Sequence, residues 1–188
     1  MFAAYLAILD QSPEDGRALQ GLYRVAILFR TSPPALPDIM TRVRAYYEDR
    51  LETNPRDAQA CIRICQVEKI LRGTDSETGK DWVRKALEID PNNSDAHLEV
   101  AYAYKQQGKR QDALNEVDHA IRLNSANADA YACKALILKP IDGTAALREY
   151  RKCYEKDPTH LQAIVMIKGF ESASKGKPWW KRWWRFSK

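Results

Sequence analysis

Ser94-Asp-Ala-His-Leu-Glu-Val-Ala-Tyr-Ala-Tyr-Lys-Gln-Gln-Gly108-Lys-Arg-Gln-Asp-Ala-Leu-Asn-Glu-Val-Asp-His-Ala-Ile-Arg-Leu-Asn-Ser125 is the stretch whose reading decides the fold. Ala96, Val100, Ala101 and Tyr104 recur at the spacing of one helix face, and Ala113, Val117 and Ala120 do the same after Gly108. Gly108 supplies the turn between them. The stretch therefore reads as two short amphipathic helices folded back on each other.

The flanking chain repeats this pattern. Leu9-Asp-Gln-Ser-Pro13, Leu51-Glu-Thr-Asn-Pro55, Leu87-Glu-Ile-Asp-Pro91 and Cys153-Tyr-Glu-Lys-Asp-Pro158 end alike, and Ser125 fills the place of a fifth proline. Successive markers lie 42, 36, 34 and 33 residues apart, close to the 34-residue period of a helix-turn-helix array. Each proline suits the gap between two helices, since it disfavours helix in its predecessor and tolerates a first helical turn. Five residues beyond each marker stands an alanine (Ala18, Ala60, Ala96, Ala130, Ala163), small enough for paired helices to approach closely.

On these residues the chain resembles tetratricopeptide repeat (TPR) proteins. The resemblance covers about residues 3–174 and is sharpest over Ser94–Ser125. It implies an all-α fold, an α-solenoid of about four TPR-like hairpins with an N-terminal half-repeat and a C-terminal helix. The expected helices are 2–11, 15–30, 37–53, 57–72, 77–89, 95–107, 110–123, 127–138, 143–156 and 160–174. Residues 1–14 form the half-repeat, a lone second helix that either caps the array or continues from a longer parent chain. Residues 15–174 form the solenoid, and 175–188 a tail. Departures from the pattern are Thr31–Pro37, an insertion; Gly73–Gly79, a long turn; Lys134, charged where an apolar residue is usual; and Lys139-Pro140 at a turn.

Length and composition set limits. With 188 residues, 45% apolar, the chain can bury a core. No apolar run approaches the roughly 18 residues of a membrane-spanning helix, and the expected location is the cytoplasm. Cys61, Cys65, Cys133 and Cys153 sit within apolar periodic stretches and read as buried thiols. The net charge of +5 belongs to the tail, because residues 1–174 carry 24 basic against 25 acidic groups.

No catalytic constellation emerges, and no metal or cofactor is expected. Gly73–Lys80 ends like a phosphate loop, but its glycines are separated by five residues, Asp81 replaces the metal-binding hydroxyl and no strand precedes it. Cys61 and Cys65 have no matching pair to complete four ligands. His97, His119 and His160 fall on three helices, each placed for packing or capping.

Function is therefore expected in binding. First helices of stacked hairpins line a concave side suited to a peptide or helix. The resemblance implies a groove reached by Arg17, Arg24, Arg63 and Lys69 early in the chain, and by Asp95, Glu99, Tyr102, Lys105, Asp129 and Leu136 later. The sign of charge reverses along it, so a bound segment should be acidic at one end and basic or aromatic at the other. No asparagine occupies these positions, which disfavours the clamp some TPR co-chaperones use on a terminal carboxylate.

The tail holds four of the five tryptophans. On a helical wheel Trp179, Trp180, Trp183, Trp184 and Phe186 fall between about −20° and 140°, and Lys181, Arg182, Arg185 and Lys188 between about 180° and 300°. Such a segment suits an anionic membrane surface at the inner face of a membrane. The alternative is docking on a protein surface, including the chain's own groove or that of a second copy in a homo-oligomer. Nucleic acid is disfavoured because residues 1–174 carry no basic surplus. The expected function is a non-catalytic adaptor or scaffold for a protein partner.

Overall fold

The computed structural model describes residues 2–29, 34–73 and 76–174, so the 175–188 tail and residues 31–33 of the 31–37 insertion lie outside the described residues. Among those described there are ten helices and no strand: α1 (Phe2–Gln11), α2 (Gly16–Phe29), α3 (Leu36–Thr53), α4 (Ala58–Arg72), α5 (Glu77–Ile89), α6 (Ser94–Gln106), α7 (Arg110–Leu123), α8 (Ala128–Leu138), α9 (Gly143–Lys156) and α10 (Leu161–Ser174). Every boundary lies within one residue of the sequence expectation. The class is all-α, a solenoid-type succession of helical hairpins.

One short device starts each first helix. Two residues after each marker stands a polar side chain that caps the coming helix: Asp15, Asp57, Asn93, Asn127 and His160. Asp15 accepts from Ala18 N–H at 2.9 Å, Asp57 from Ala60 at 2.9 Å and Asn93 from Ala96 at 3.0 Å. His160 Nδ1 accepts from Ala163 at 3.3 Å, whereas Asn127 takes the amide of Asp129 at 3.1 Å. These bonds satisfy amides that the first helical turn leaves without partners. The alanine at cap plus three is buried in all five cases, so one pentad sets both the helix start and the closest packing point.

The chain divides into two compact units, Met1–Glu99 and Val100–Lys188. In the first, α1 packs on α2 and α3, α2 on α4, α3 on α4, and α4 on α5. Its core includes Leu9, Leu19, Leu22, Met40, Val43, Ile62, Ile64 and Val67, none of them exposed to solvent. Each such side chain contributes about 1.5–3 kcal/mol by leaving water. Close approach of α1 and α2 requires Gly21, because a Cβ there would run into the Tyr5 ring.

In the second unit α7 packs on α8, α8 on α9 and α9 on α10. Ala132, Ala135, Ala146, Tyr150, Cys153 and Ala163 form its centre. Gly108 adopts φ of +75° in the turn before α7, a conformation that suits glycine. Lys134, the charged residue at a usually apolar position, is half-buried and its Nζ lies 2.6 Å from Asp118 Oδ1.

Gly79 and Lys80, the pair that ends the phosphate-loop-like stretch, lie in the first turn of α5, where a Cβ on Gly79 would stand at ordinary contact distance from Lys69 Cγ (3.6 Å) and the Cys65 carbonyl (3.7 Å).

Candidate partner-binding surfaces

In the first unit, α2 and α4 are adjacent first helices, and their polar residues set the electrostatics. Arg17 and Arg24 lie seven residues apart on α2, which places them on one face two turns apart. Arg17 is exposed and Arg24 partly exposed. Arg63, on α4, is partly exposed, donates to Gln66 Oε1 at 2.9 Å and lays its guanidinium against Gly16 at the start of α2. Three guanidinium groups are thus carried by two packed helices.

Lys69 and Glu99 have a different setting. Both side chains are buried, at 5% and 3% exposure, and Lys69 Nζ is ion-paired with Glu99 Oε2. Tyr23 Oη donates to the same Glu99 oxygen at 3.2 Å. Burial pulls the Lys69 ammonium down, but the Glu99 charge, helped by Cys65, outweighs it and leaves the pKa raised. Lys69 therefore stays charged and its charge is spent on Glu99. Asp95, partly exposed, accepts from Gln59 Nε2 at 3.3 Å.

In the second unit, Tyr102 is partly exposed and Lys105 exposed, while Leu136 is half-buried. Asp129 is buried, with His160 Nε2 2.9 Å from its Oδ1. Because His160 Nδ1 accepts the Ala163 amide, the proton sits on Nε2, which donates to Asp129. Asp129 thus orients the cap of α10 as well as standing at an expected groove position. Tail residues Trp179, Trp180, Lys181, Arg182, Trp183, Trp184, Arg185 and Phe186 lie outside the described residues.

The thiols are poorly set up for metal or nucleophilic chemistry. All four are buried. Burial pushes Cys61 upward, and burial together with Glu99 pushes Cys65 up to about 12, so the thiolate such chemistry needs is suppressed.

Residues 83–115, which run from α5 through α6 into α7, match the family model described as tetratricopeptide repeat. That stretch of the chain carries a tetratricopeptide repeat. The chain as a whole is similar to proteins of two kinds. Hsp70-Hsp90 organizing protein 2 of Arabidopsis thaliana is 25% identical over 154 residues, covering 81% of this chain and 26% of the relative. The chain thus spans about a quarter of that relative's length.

Solved structures share the TPR fold at lower identity. A thermophilic TPR protein of Thermus thermophilus superposes with a TM-score of 0.55 at 19% identity, covering 89% of this chain and 87% of that one. MamA gives 0.53 at 19%, covering 76% and 82%. YrrB, described as a TPR protein with an unusual peptide-binding site, gives 0.51 at 16%, covering 89% and 81%. Among the described residues no helix is long and apolar enough to cross a membrane.

Proposed function

We propose that this TPR chain is a non-catalytic adaptor that holds an acidic segment of a partner protein against α2 and α4. The observation that carries the reading is the balance of charge on the first unit. Lys69 and Glu99 offset each other in the interior, which leaves Arg17, Arg24 and Arg63 against one acid, Asp95, among the expected groove residues of this unit. Carboxylates along a peptide would meet planar guanidinium groups able to donate in pairs, which favours arginine sites for acidic ligands. Tyr102, Lys105, Asp129 and Leu136 belong to the same proposed binding role in the second unit, where Tyr102 and Leu136 offer apolar contact.

The relative's name concerns chaperones, but the groove positions here hold no asparagine, so the proposed ligand is an acidic stretch and not a terminal carboxylate. The tail adds a second contact. Its basic side and indoles suit an anionic surface at the inner face of a membrane, placing the adaptor in the cytoplasm beside it. The second reading, docking of the tail on protein, is favoured by the half-buried apolar side chains of α10.

Fluorescence anisotropy of a labelled Asp/Glu-rich peptide with the full chain tests the reading. Saturable binding that weakens with salt, and at least about tenfold in Arg17→Glu/Arg63→Glu as a loss of two charge-assisted contacts, is expected. Equal binding of a Lys-rich peptide, or no effect of the double variant, would contradict it.

A further inference from the structure

We propose that the solvent-facing side of α9, from Leu147 to Tyr154, docks an acidic amphipathic helix of a partner protein. The surface lies within the second unit. The inference goes beyond the acidic-segment reading of α2 and α4 and does not depend on it.

The first observation is unspent charge. Among the second helices of the hairpins, α3 carries three basic against four acidic residues, α5 three against three and α7 two against three. In α9 the balance is reversed, with Arg148, Arg151, Lys152 and Lys156 against Glu149 and Glu155. Arginines of the other second helices are engaged, Arg44 with Glu48 and Glu68, Arg50 with Asp57, and Arg84 with Asp81. On α9, Lys152 pairs with Glu149, but Arg148 and Arg151 form no ion pair among the described residues.

Repeat position sharpens the contrast. Ala113, Val117 and Ala120 of α7 recur 33 residues on as Ala146, Tyr150 and Cys153 of α9, all buried. In the same step Asp118, which pairs with Lys134 of the next first helix, becomes Arg151, and Lys134 becomes Ile167. An ion pair that joins α7 to α8 thus has no counterpart between α9 and α10, and the second-helix position has changed sign.

The second observation is apolar surface beside that charge. Three large apolar side chains are exposed among the described residues: Ile8, Ile141 and Tyr154. Two of them bracket α9. Ile141, 59% exposed, stands just before the capping Asp142, and Tyr154, 44% exposed, lies in the last turn. Half-buried Leu147, exposed Arg151 and Tyr154 follow at i, i+4 and i+7 and so share one stripe. Arg148 stands one turn before Arg151 beside it.

These features select the occupant. Two guanidinium groups one turn apart match carboxylates one turn apart on a facing helix, and each can donate in pairs. The stripe from Leu147 to Tyr154 matches an apolar row on the same helix. Exposed Glu155 falls between the two arginines in angle around α9. A continuous polyanion, whether a lipid leaflet or a nucleic-acid backbone, would be pressed against that carboxylate, which a helix with separately placed acids avoids.

Nitrogen-15 NMR titration of the full chain with a synthetic amphipathic helical peptide of Glu and Leu tests this. Amides from Leu147 to Tyr154 should shift saturably. The affinity they report should fall at least about tenfold in Arg148→Glu/Arg151→Glu as two charge-assisted contacts are lost, with helicity checked by circular dichroism, and several-fold in Tyr154→Ala. A peptide with Ser in place of Leu should bind this face several-fold more weakly. Arg17→Glu/Arg63→Glu should leave the α9 shifts unchanged, so that pair reports on the adaptor reading alone. Absence of α9 shifts, or shifts that survive Arg148→Glu/Arg151→Glu, overturns the proposal. So does loss, in that variant, of co-sedimentation with vesicles containing phosphatidylserine, which would assign the face to a membrane.

Discussion

Lys69 on α4 and Glu99 on α6 pair with each other in a site nearly closed to water, and Tyr23 of α2 bonds to the same carboxylate. Three first helices thereby share one buried charge pair. Removing one partner leaves an uncompensated interior charge, whereas removing both does not. Glu99→Ala should therefore cost about 3–5 kcal/mol in urea unfolding. Lys69→Met/Glu99→Leu should lose far less than the sum of the single changes. A double variant as damaged as Glu99→Ala would refute this account of the pair.

The alkaline limb of the stability profile follows from two raised pKa values. Lys69 and Cys65 both hold their protons more tightly folded than unfolded. Their contribution is full below the unfolded values, about 9 for a thiol here and 10.5 for lysine, and is lost as pH rises through the folded ones. Unfolding free energy should be flat in these groups up to about pH 8 and fall between there and about pH 12. Cys65→Ser should shallow that fall.

Cys65 should also be nearly inert in the native state. With its pKa at about 12, against 9 for an ordinary thiol, its thiolate fraction near neutral pH is smaller by about a thousandfold. Iodoacetamide followed by mass spectrometry should label it only at the rate of unfolding. Rapid labelling of Cys65 in folded protein would contradict the structure.

His160 caps α10 where the other first helices use Asp or Asn, and Asp129 fixes its tautomer. His160→Ala should cost about 1–2 kcal/mol, through the lost cap and the buried Asp129 left without its donor. His160→Asn, which restores a cap acceptor, should recover part of that. His160→Asp should be worse than alanine, since two buried carboxylates would face each other. Thermal unfolding of the three variants gives the order.

Gly21 and Gly108 test packing against backbone freedom. Gly21→Ala drives a methyl into the Tyr5 ring and should destabilise by about 1–3 kcal/mol through overpacking. In Gly21→Ala/Tyr5→Leu much of that should return. Gly108→Ala has open space but φ of +75°, so it should cost about 1–2 kcal/mol from backbone strain alone, with no rescuing partner. Urea unfolding of the three variants separates the two causes.

Much of the fold was legible because it is periodic. Proline markers and the alanines five residues on carry helix start and closest packing together, so the helices could be placed within a residue of their observed ends. Side-chain direction at the groove positions was less legible. Repeat position marks Lys69, Glu99 and Asp129 as first-helix groove residues just as it marks Arg17 and Arg63. Whether such a charge meets solvent depends on what the neighbouring first helix brings to it. Lys69 meets Glu99 from 30 residues away, and Asp129 meets His160 from 31 away. Those pairings are set by stacking between repeats and leave no mark within one repeat. A sign of them was available in the caps: His160 stands where Asp or Asn recurs, and an imidazole there can use its second nitrogen on a neighbour.

The adaptor reading rests on Arg17, Arg24 and Arg63 acting as one acidic-segment surface. Nitrogen-15 NMR titration of the full chain with an Asp/Glu-rich peptide tests it most directly. Shifts concentrated on the α2 and α4 amides around Arg17, Arg24 and Arg63, and fading as salt is raised, are predicted. Shifts confined to other helices, or none at peptide concentrations that saturate anisotropy, would contradict it.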